Sequence, residues 1–314
     1  MPMLTYALPD LKKTAPPAAA CVALGFFDGV HLGHRALIAL AAEKAKALGL
    51  PLGVFTFPSE DAMIKKSALR LYDTKKKLSL LSSLGVDCVF MCELSTIAAV
   101  SAEDFVRGCL VSDMRAAVTV CGFNYRFGNG AKGDCDALDR YMRALGRENI
   151  TLPPMYHSDE LLSSGAIRAH LSAGNVARAA EMLGAPYALS GVVESGDGRG
   201  KTLGFPTVNI PLEGNQLLLS PGVYATAAQT DAGVFPSVTN VGTCPTFGER
   251  SIHAETHLCD FQGNLYGANI ELKFLAKLRE EKRFSSGEEL IKQINIDKNK
   301  ATEVYKAWQE AGQN

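Results

Sequence analysis

Two histidines three residues apart, His31 and His34, interrupt an apolar run in "VALGFFDGVHLGHRALIAL" (22–40). At i, i+3 they share one side of a first helical turn, and Gly29 and Gly33 beside them let a backbone approach closely. A helix start also offers free N–H groups and the positive end of its macrodipole, so the chemistry that suits this pattern is the binding of an anion such as a triphosphate. The plainer reading is a helix cap alone. Two rings on one side of the turn, flanked by glycines, favour the ligand site.

A second constellation is "HAETH" (253–257), where a strand would put His253, Glu255 and His257 on one face. That face admits a carboxylate base, a half-buried polar surface or a zinc site. Zinc is the weakest of the three, because the spacing is not that of a helical zinc motif and no Cys-x-x-Cys pair supports it. "SGDGRGKTLGFPTVNI" (195–210) contains Gly200, Lys201 and Thr202 and nearly spells a Walker A loop. Ser195 stands where that loop needs glycine, and Pro206 would break the helix that must follow. Taken by itself the stretch reads equally as a polar turn entering a strand. The run "KKK" at 75–77 reads as a solvated helix face.

The elements that must carry these residues fall into two rhythms. Through residues 20–150, short β-rich apolar runs alternate with helix-length amphipathic ones, which predicts a parallel sheet with helices on its faces. Residues 151–187 read as two short helices around "SAGN", with Asn175 as an N-cap and Gly184 and Pro186 as a stop, placing a domain boundary near 184. From Ser190 onward, turn residues separate short Val/Thr/Tyr/Phe runs, which predicts antiparallel strands closed into a small barrel, followed by a C-terminal helix. A length of 314 residues accommodates two such domains, 1–184 and 185–314.

Composition narrows the partners. With 47% hydrophobic and 21% charged residues, a net charge of -1 and a pI near 6.6, the chain offers no global electrostatic case for nucleic acid. Small ligands are expected instead. Eight cysteines without a Cys-x-x-Cys pair, no signal-like start and no apolar run of spanning length predict a cytoplasmic protein with reduced, mostly buried thiols and no membrane segment. A monomer or weak homo-oligomer is expected.

"GFFDGVHLGHR" resembles the GxFDGxHxGH signature of the HxGH nucleotidyltransferases, most closely the adenylyltransferase half of the bifunctional riboflavin kinase/FAD synthetases. "LSSGAIR" (162–168) resembles that family's second nucleotide-binding segment, with Gly165 in place of a threonine. "CGFNYRFGNGAKGD" (121–134) resembles its flavin- and nucleotide-side loop, and in "FTFPSE" (55–60) Ser59 stands where the family usually has histidine. The Gly-rich loop with "LGFPTVN", then "SPGVYAT", "TNVGTCPTFG", "HAETHLCDFQGNLYG" and "FLAKLREEKRF", follow the riboflavin kinase motifs in order. Lys201 replaces an arginine of the Gly-rich loop and Cys244 replaces the usual residue before Pro245 and Thr246.

The resemblance implies a Rossmann-like α/β HxGH domain followed by an antiparallel β-barrel with a C-terminal helix. It implies phosphorylation of riboflavin by ATP to FMN, and adenylylation of FMN to FAD with release of pyrophosphate. Within it, His31, His34, Arg168 and Glu255 would be catalytic. Gly25, Phe27, Asp28, Gly33, Asn124, Ser163, Ser164, Gly200, Lys201 and Gly204 would bind nucleotide, and Phe127, Arg279 and Phe284 would contact flavin. Thr207 and Asn209 would supply hard oxygens to the Mg²⁺ that accompanies ATP. Two other readings stay open: a kinase whose adenylyltransferase half has decayed, and a flavin- or nucleotide-binding regulator without turnover.

Overall fold

The computed structural model describes residues 3–8, 16–61, 69–194, 205–212, 219–244 and 251–312. The chain divides into two compact units, Met1–Ser164 and Gly165–Asn314. In the first, strands β1 (Leu4–Ala7), β2 (Ala20–Leu24), β3 (Leu52–Thr56), β4 (Cys88–Met91), β5 (Ala116–Gly122) and β6 (Glu148–Leu152) form one parallel sheet, in the order β1-β4-β3-β2-β5-β6. Every residue of β2 and β3 is buried, as their unbroken apolar runs require of strands covered on both faces. Val22 and Leu24 join Phe55, Phe90 and Phe105 in a core on one face, while Cys21 and Ala23 join Val54, Val89 and Val120 on the other.

Helix α1 (Leu32–Leu48) lays Leu37, Ile38, Ala41 and Ala45 on the sheet and ends at Gly49, whose φ of 64° permits the left-handed cap. Then come α2 (Thr74–Ser83), the short turns α3 (Leu94–Ile97) and α4 (Ala102–Asp104), and α5 (Cys135–Ala144). The helix expected over "SAEDFVRGCLVSDM" leaves α geometry after α4, since Phe105–Asp113 is π-helical and the N–H of Met114 closes on the carbonyl of Cys109. A two-stranded ladder, β7 (Tyr156–His157) with β8 (Glu160–Leu161), precedes Ser164. Strand order reverses around β2, and ligands of open α/β sheets bind beyond the carboxyl ends of strands at such a switch.

The second unit holds α6 (Ser164–Ser172, from Gly165 on) and α7 (Val176–Leu183). Strands β9 (Tyr187–Val192), β10 (Val208–Leu212), β11 (Gly222–Thr230), β12 (Gly233–Cys244), β13 (Ser251–Leu258) and β14 (Asn269–Arg279) follow. They pair antiparallel in the order β10-β13-β12-β11-β14-β9, and the N–H of Glu194 donates to the carbonyl of Asn209 at 2.9 Å, closing the ring between its two ends. Inside, the hydroxyls of Thr226, Ser237, Thr239 and Thr256 bond to one another at 2.7 to 2.9 Å, so a buried polar layer is fully paired. Helix α8 (Gly287–Ala311), capped by Ser286, packs on β11, β12 and β14. Because α7 packs on β9 and β14, it groups with the barrel, and the division between units falls ahead of the boundary drawn near 184.

Cys21, Cys88, Cys92, Cys121 and Cys259 are free and buried, and burial pushes their thiols up, Cys88 and Cys121 to about 12. Among the described residues no helix is long and apolar enough to cross a membrane.

Two candidate active sites

The loop from β2 into α1 carries the paired histidines and is strained. Phe27 and Val30 hold φ of 52° and 42°, and Gly29 holds 83°. A β-branched residue at positive φ costs on the order of 1–3 kcal/mol and persists only where its surroundings hold it. Here the Oγ of Ser164 donates to the Asp28 carbonyl at 2.8 Å, the N–H of Leu71 to Asp28 Oδ1 at 3.0 Å, and Arg35 Nε to the Val30 carbonyl at 3.1 Å. Asp28 is therefore turned inward, where it ties this loop to Leu71 and Ser164.

His31 is the N-cap of α1: the N–H of His34 donates to its Nδ1 at 3.4 Å. The two rings stack with centroids 3.7 Å apart, and Phe27 lies 5.2 Å from His34 on the side chain's other flank. Gly33 packs tightly, since a Cβ there would meet the His31 ring at 3.2 Å. Gly25 is tight for the same reason, with the Phe27 ring 3.1 Å from the position of a Cβ.

Burial pushes His31 down to about 4 and holds His34 well below its ordinary value, with His31 and Lys77 adding to the second shift. Both rings are neutral near pH 7. A neutral ring meets an anion as a hydrogen-bond donor and brings it no charge. The shift also has a sign for stability. Between pH 6.5 and about 4 the unfolded chain protonates His31 while the folded chain does not, so stability falls as pH falls through that window. The expected loss from His31 alone is about 3 kcal/mol at most, and His31→Asn should flatten the acid limb of thermal melting followed by circular dichroism.

A cleft of about 630 Å³, counted out to solvent, opens over the pair and is lined by His31, His34, Gly33, Asn124, Ser163 and Ser164, with Phe123, Leu152, Pro153, Met155 and Leu161 as its apolar wall. Six residues named from sequence therefore converge, and Phe123, which sequence reasoning passed over, is 43% exposed at this wall. Phe127 does not face the cleft. It is buried against Phe105 and Tyr125, with ring centroids at 5.6 and 5.8 Å, and its backbone pairs with Gly133, so it anchors the loop. Arg168 lies one turn into α6, in the second unit.

Residues 59 to 77 supply what the sequence did not reveal. Ser59 is 2% exposed, and its N–H donates to Thr74 Oγ1 at 2.7 Å. Among the described residues its Oγ, the Nε and Nη1 of buried Arg70, and the Nδ1 of His34 have no hydrogen-bond partner. Buried polar atoms in native folds are paired, so these await water or a ligand. The solvated face expected for "KKK" holds for Lys75 but not for Lys77, which is 1% exposed. Helical spacing is the reason: Lys77 stands at i, i+4 with buried Leu81, on the face of α2 that meets the core.

In the barrel, Thr207 Oγ1 donates to Glu255 Oε1 at 2.8 Å. Asn209 on β10 and Asn240 on β12 are the register partners of Glu255 on either side, so a Thr, two Asn and a carboxylate share one patch of the outer face. Asn240 was not singled out from sequence, although its strand neighbours were. A Cβ at Gly242 would run into the carboxylate of Glu281, which brings a second acid beside Asn240. Gly200, Lys201 and Gly204 lie outside the described residues, as do Pro245 and Thr246.

His257 is tied back to the segment that precedes Thr207. Its Nδ1 donates to the Pro206 carbonyl at 2.9 Å and its ring meets Phe205 edge-on at 5.5 Å, so it pins the segment that presents Thr207. Burial lowers its pKa, against the opposing pull of that hydrogen bond. Among the described residues no group of three or more His, Cys, Asp or Glu could hold a metal ion. Arg279 is bound to buried Asp297 of α8 at 2.9 Å and donates to the Glu280 carbonyl at 3.0 Å, with its guanidinium 5.7 Å from the Phe284 ring centroid. These two candidates for flavin contact are thus adjacent, with Arg279 held in place from behind.

A parallel-sheet unit that presents a paired-histidine helix start, joined to a barrel with a Thr/Asn/Glu face, defines a two-unit enzyme of nucleotidyl and phosphoryl transfer. Residues 13–166 match the family described as FAD synthetase, and residues 183–305 the family described as riboflavin kinase. Curated relatives named bifunctional riboflavin kinase/FMN adenylyltransferase include one from Escherichia coli K12, 36% identical, covering 93% of this chain and 94% of the relative. Another, from Bacillus subtilis, is 32% identical over 92% and 93%, and one from Listeria monocytogenes is 33% identical over 94% and 93%. A solved structure named macrolide-efflux protein, from Streptococcus pneumoniae, superposes with a TM-score of 0.86 at 28% identity, covering 95% of this chain and 98% of its own. The chain belongs to the bifunctional riboflavin kinase/FMN adenylyltransferase family.

Proposed function

We propose that residues 185–314 phosphorylate riboflavin and that residues 1–184 adenylylate the FMN produced. The observation that carries the kinase reading is the Thr207 to Glu255 hydrogen bond flanked by Asn209 and Asn240. Glu255 takes the proton from the 5′-hydroxyl of riboflavin as that oxygen attacks the γ-phosphorus of ATP, and ADP leaves. The oxygens of Thr207 and Asn209 are hard donors that fit Mg²⁺, whose part when bound with ATP is to neutralise phosphate charge. The resemblance of the Gly-rich segment implies phosphate contacts from Gly200, Lys201 and Gly204, and Arg279 and Phe284 border the flavin.

In the first unit, a phosphate oxygen of FMN attacks the α-phosphorus of ATP and pyrophosphate leaves, without a covalent enzyme intermediate. His31 and His34 donate hydrogen bonds to the triphosphate at the α1 N-terminus, and Asn124, Ser163 and Ser164 border the nucleotide. The protein acts in the cytoplasm on riboflavin, FMN and ATP, as a monomer or weak homo-oligomer, with neither nucleic acid nor membrane as a partner.

The test is a chromatographic product assay with riboflavin, ATP and Mg²⁺. FMN followed by FAD is the expected result. FMN without FAD would favour a decayed adenylyltransferase half, a reading motivated by Gly165 and by Ser59 at the position of a histidine. No product at all would favour a regulator. If the adenylyltransferase is active but weakened, Gly165→Thr should raise FAD formation about fivefold, the worth of one recovered hydrogen bond of ~1 kcal/mol. An unchanged or lower rate would show that this hydroxyl is not what the site lacks.

A further inference from the structure

Lys77 is a buried ammonium with two backbone acceptors. Its Nζ donates to the Phe57 carbonyl at 2.7 Å, just past β3, and to the Phe26 carbonyl at 3.3 Å, just past β2. It also lies 4.8 Å from the centroid of the Phe26 ring, which stacks on Phe57 at 6.1 Å. Burying this charge is costly to the fold: desolvation pulls the lysine down to about 8, with Asp28 and Glu60 opposing and Arg70 adding. Backbone satisfaction does not demand a cation either. Thr56 Oγ1 already donates to the Phe26 carbonyl at 2.9 Å, so only the Phe57 carbonyl depends on Lys77 alone among these bonds.

What the ammonium does is join the ends of the two central strands immediately before the strained turn at Phe27 to Val30. That turn sets where His31 begins α1, and after burial and His31 the lysine charge adds to the downward shift of His34. With both histidines neutral, Lys77 and Arg70 are buried cations beneath a site read as taking a polyphosphate.

We propose that Lys77 is a positioning residue for adenylyl transfer, clamping the β2 and β3 termini so that His31 and His34 meet the triphosphate in register. The inference rests on the adenylyltransferase reading of the first unit. It is tested in the full chain with Lys77→Met, which keeps the length and removes the charge and donors, and Lys77→Arg, which restores both.

For FAD formation from FMN, the Met variant should lose about thirtyfold to a hundredfold in kcat, with KM for ATP changed less than about threefold. Riboflavin phosphorylation by the same protein should stay within about twofold of the parent, and the melting temperature should not fall by more than a few degrees, since a buried charge has been removed. The Arg variant should recover at least about a third of the parental kcat. A Met variant within about twofold of the parent, or an Arg variant as slow as the Met variant, overturns the proposal. Should Lys77→Met melt far below the parent, Lys77→Gln, neutral but still able to donate to Phe57, is held to the same limits. A parent that makes no FAD instead sinks the reading on which the proposal rests.

Discussion

Glu255→Gln is expected to slow riboflavin phosphorylation by about a thousandfold while FAD formation from added FMN stays within about twofold of the parent, because a positioned general base contributes roughly 10²–10⁴. The substitution is close to isosteric. A glutamine oxygen can still accept the Thr207 hydroxyl that lies 2.8 Å from the carboxylate, so the patch formed with Asn209 and Asn240 is retained and only the proton acceptor is lost. Measuring both products from one preparation makes the first unit the control for the second. A variant that keeps a tenth or more of the kinase rate would remove Glu255 from the role of base, leaving the Thr207 contact as its whole function.

For the first unit the largest effect is expected at the paired rings. His31→Asn and His34→Ala should each lower FAD formation by about a hundredfold to a thousandfold, the usual cost of deleting one donor aimed at developing charge, with riboflavin phosphorylation unchanged. Asparagine is a good N-cap, so His31→Asn keeps the start of α1 while removing the ring that stacks on His34 at 3.7 Å. If His31→Asn makes FAD at the parental rate, the histidine contributes a cap and nothing more. Both variants should be assayed near pH 7.5, away from the acid window in which His31 itself alters stability.

Much of this was legible because it is local. The unbroken apolar runs "ACVAL" and "LGVFT" announced strands buried on both faces, and alternation with amphipathic runs announced crossover helices. The turn-separated Val, Thr and Tyr runs of the second half became the antiparallel barrel. Positions that work through backbone sterics were legible too. Gly33 lies against the His31 ring, and Gly49 closes α1 in a left-handed conformation, both requirements set within a few residues.

Other positions depended on neighbours far along the chain. Lys77 sits in a run of three lysines, yet its own turn of α2 aims it at carbonyls 20 and 51 residues away. Phe127 belongs to a loop with a ligand-side motif, but Phe105 and Tyr125 take its ring into the core. His257 sits on the strand beside Glu255, and its Nδ1 reaches the Pro206 carbonyl 51 residues back along the chain.

By itself, then, the sequence determined the two-unit α/β and β-barrel plan, the helix start at His31 and the strand face carrying Glu255. Periodicity, capping and glycine sterics act over a few residues and can be read along the chain. Only the tertiary structure decided the electrostatics of the sites: that His31 and His34 are neutral, that a lysine lies buried beneath them, and that Thr207, Asn209, Asn240 and Glu255 meet on one face. Desolvation and hydrogen-bond pairing are properties of what surrounds a group, and those surroundings come from segments that only folding brings together.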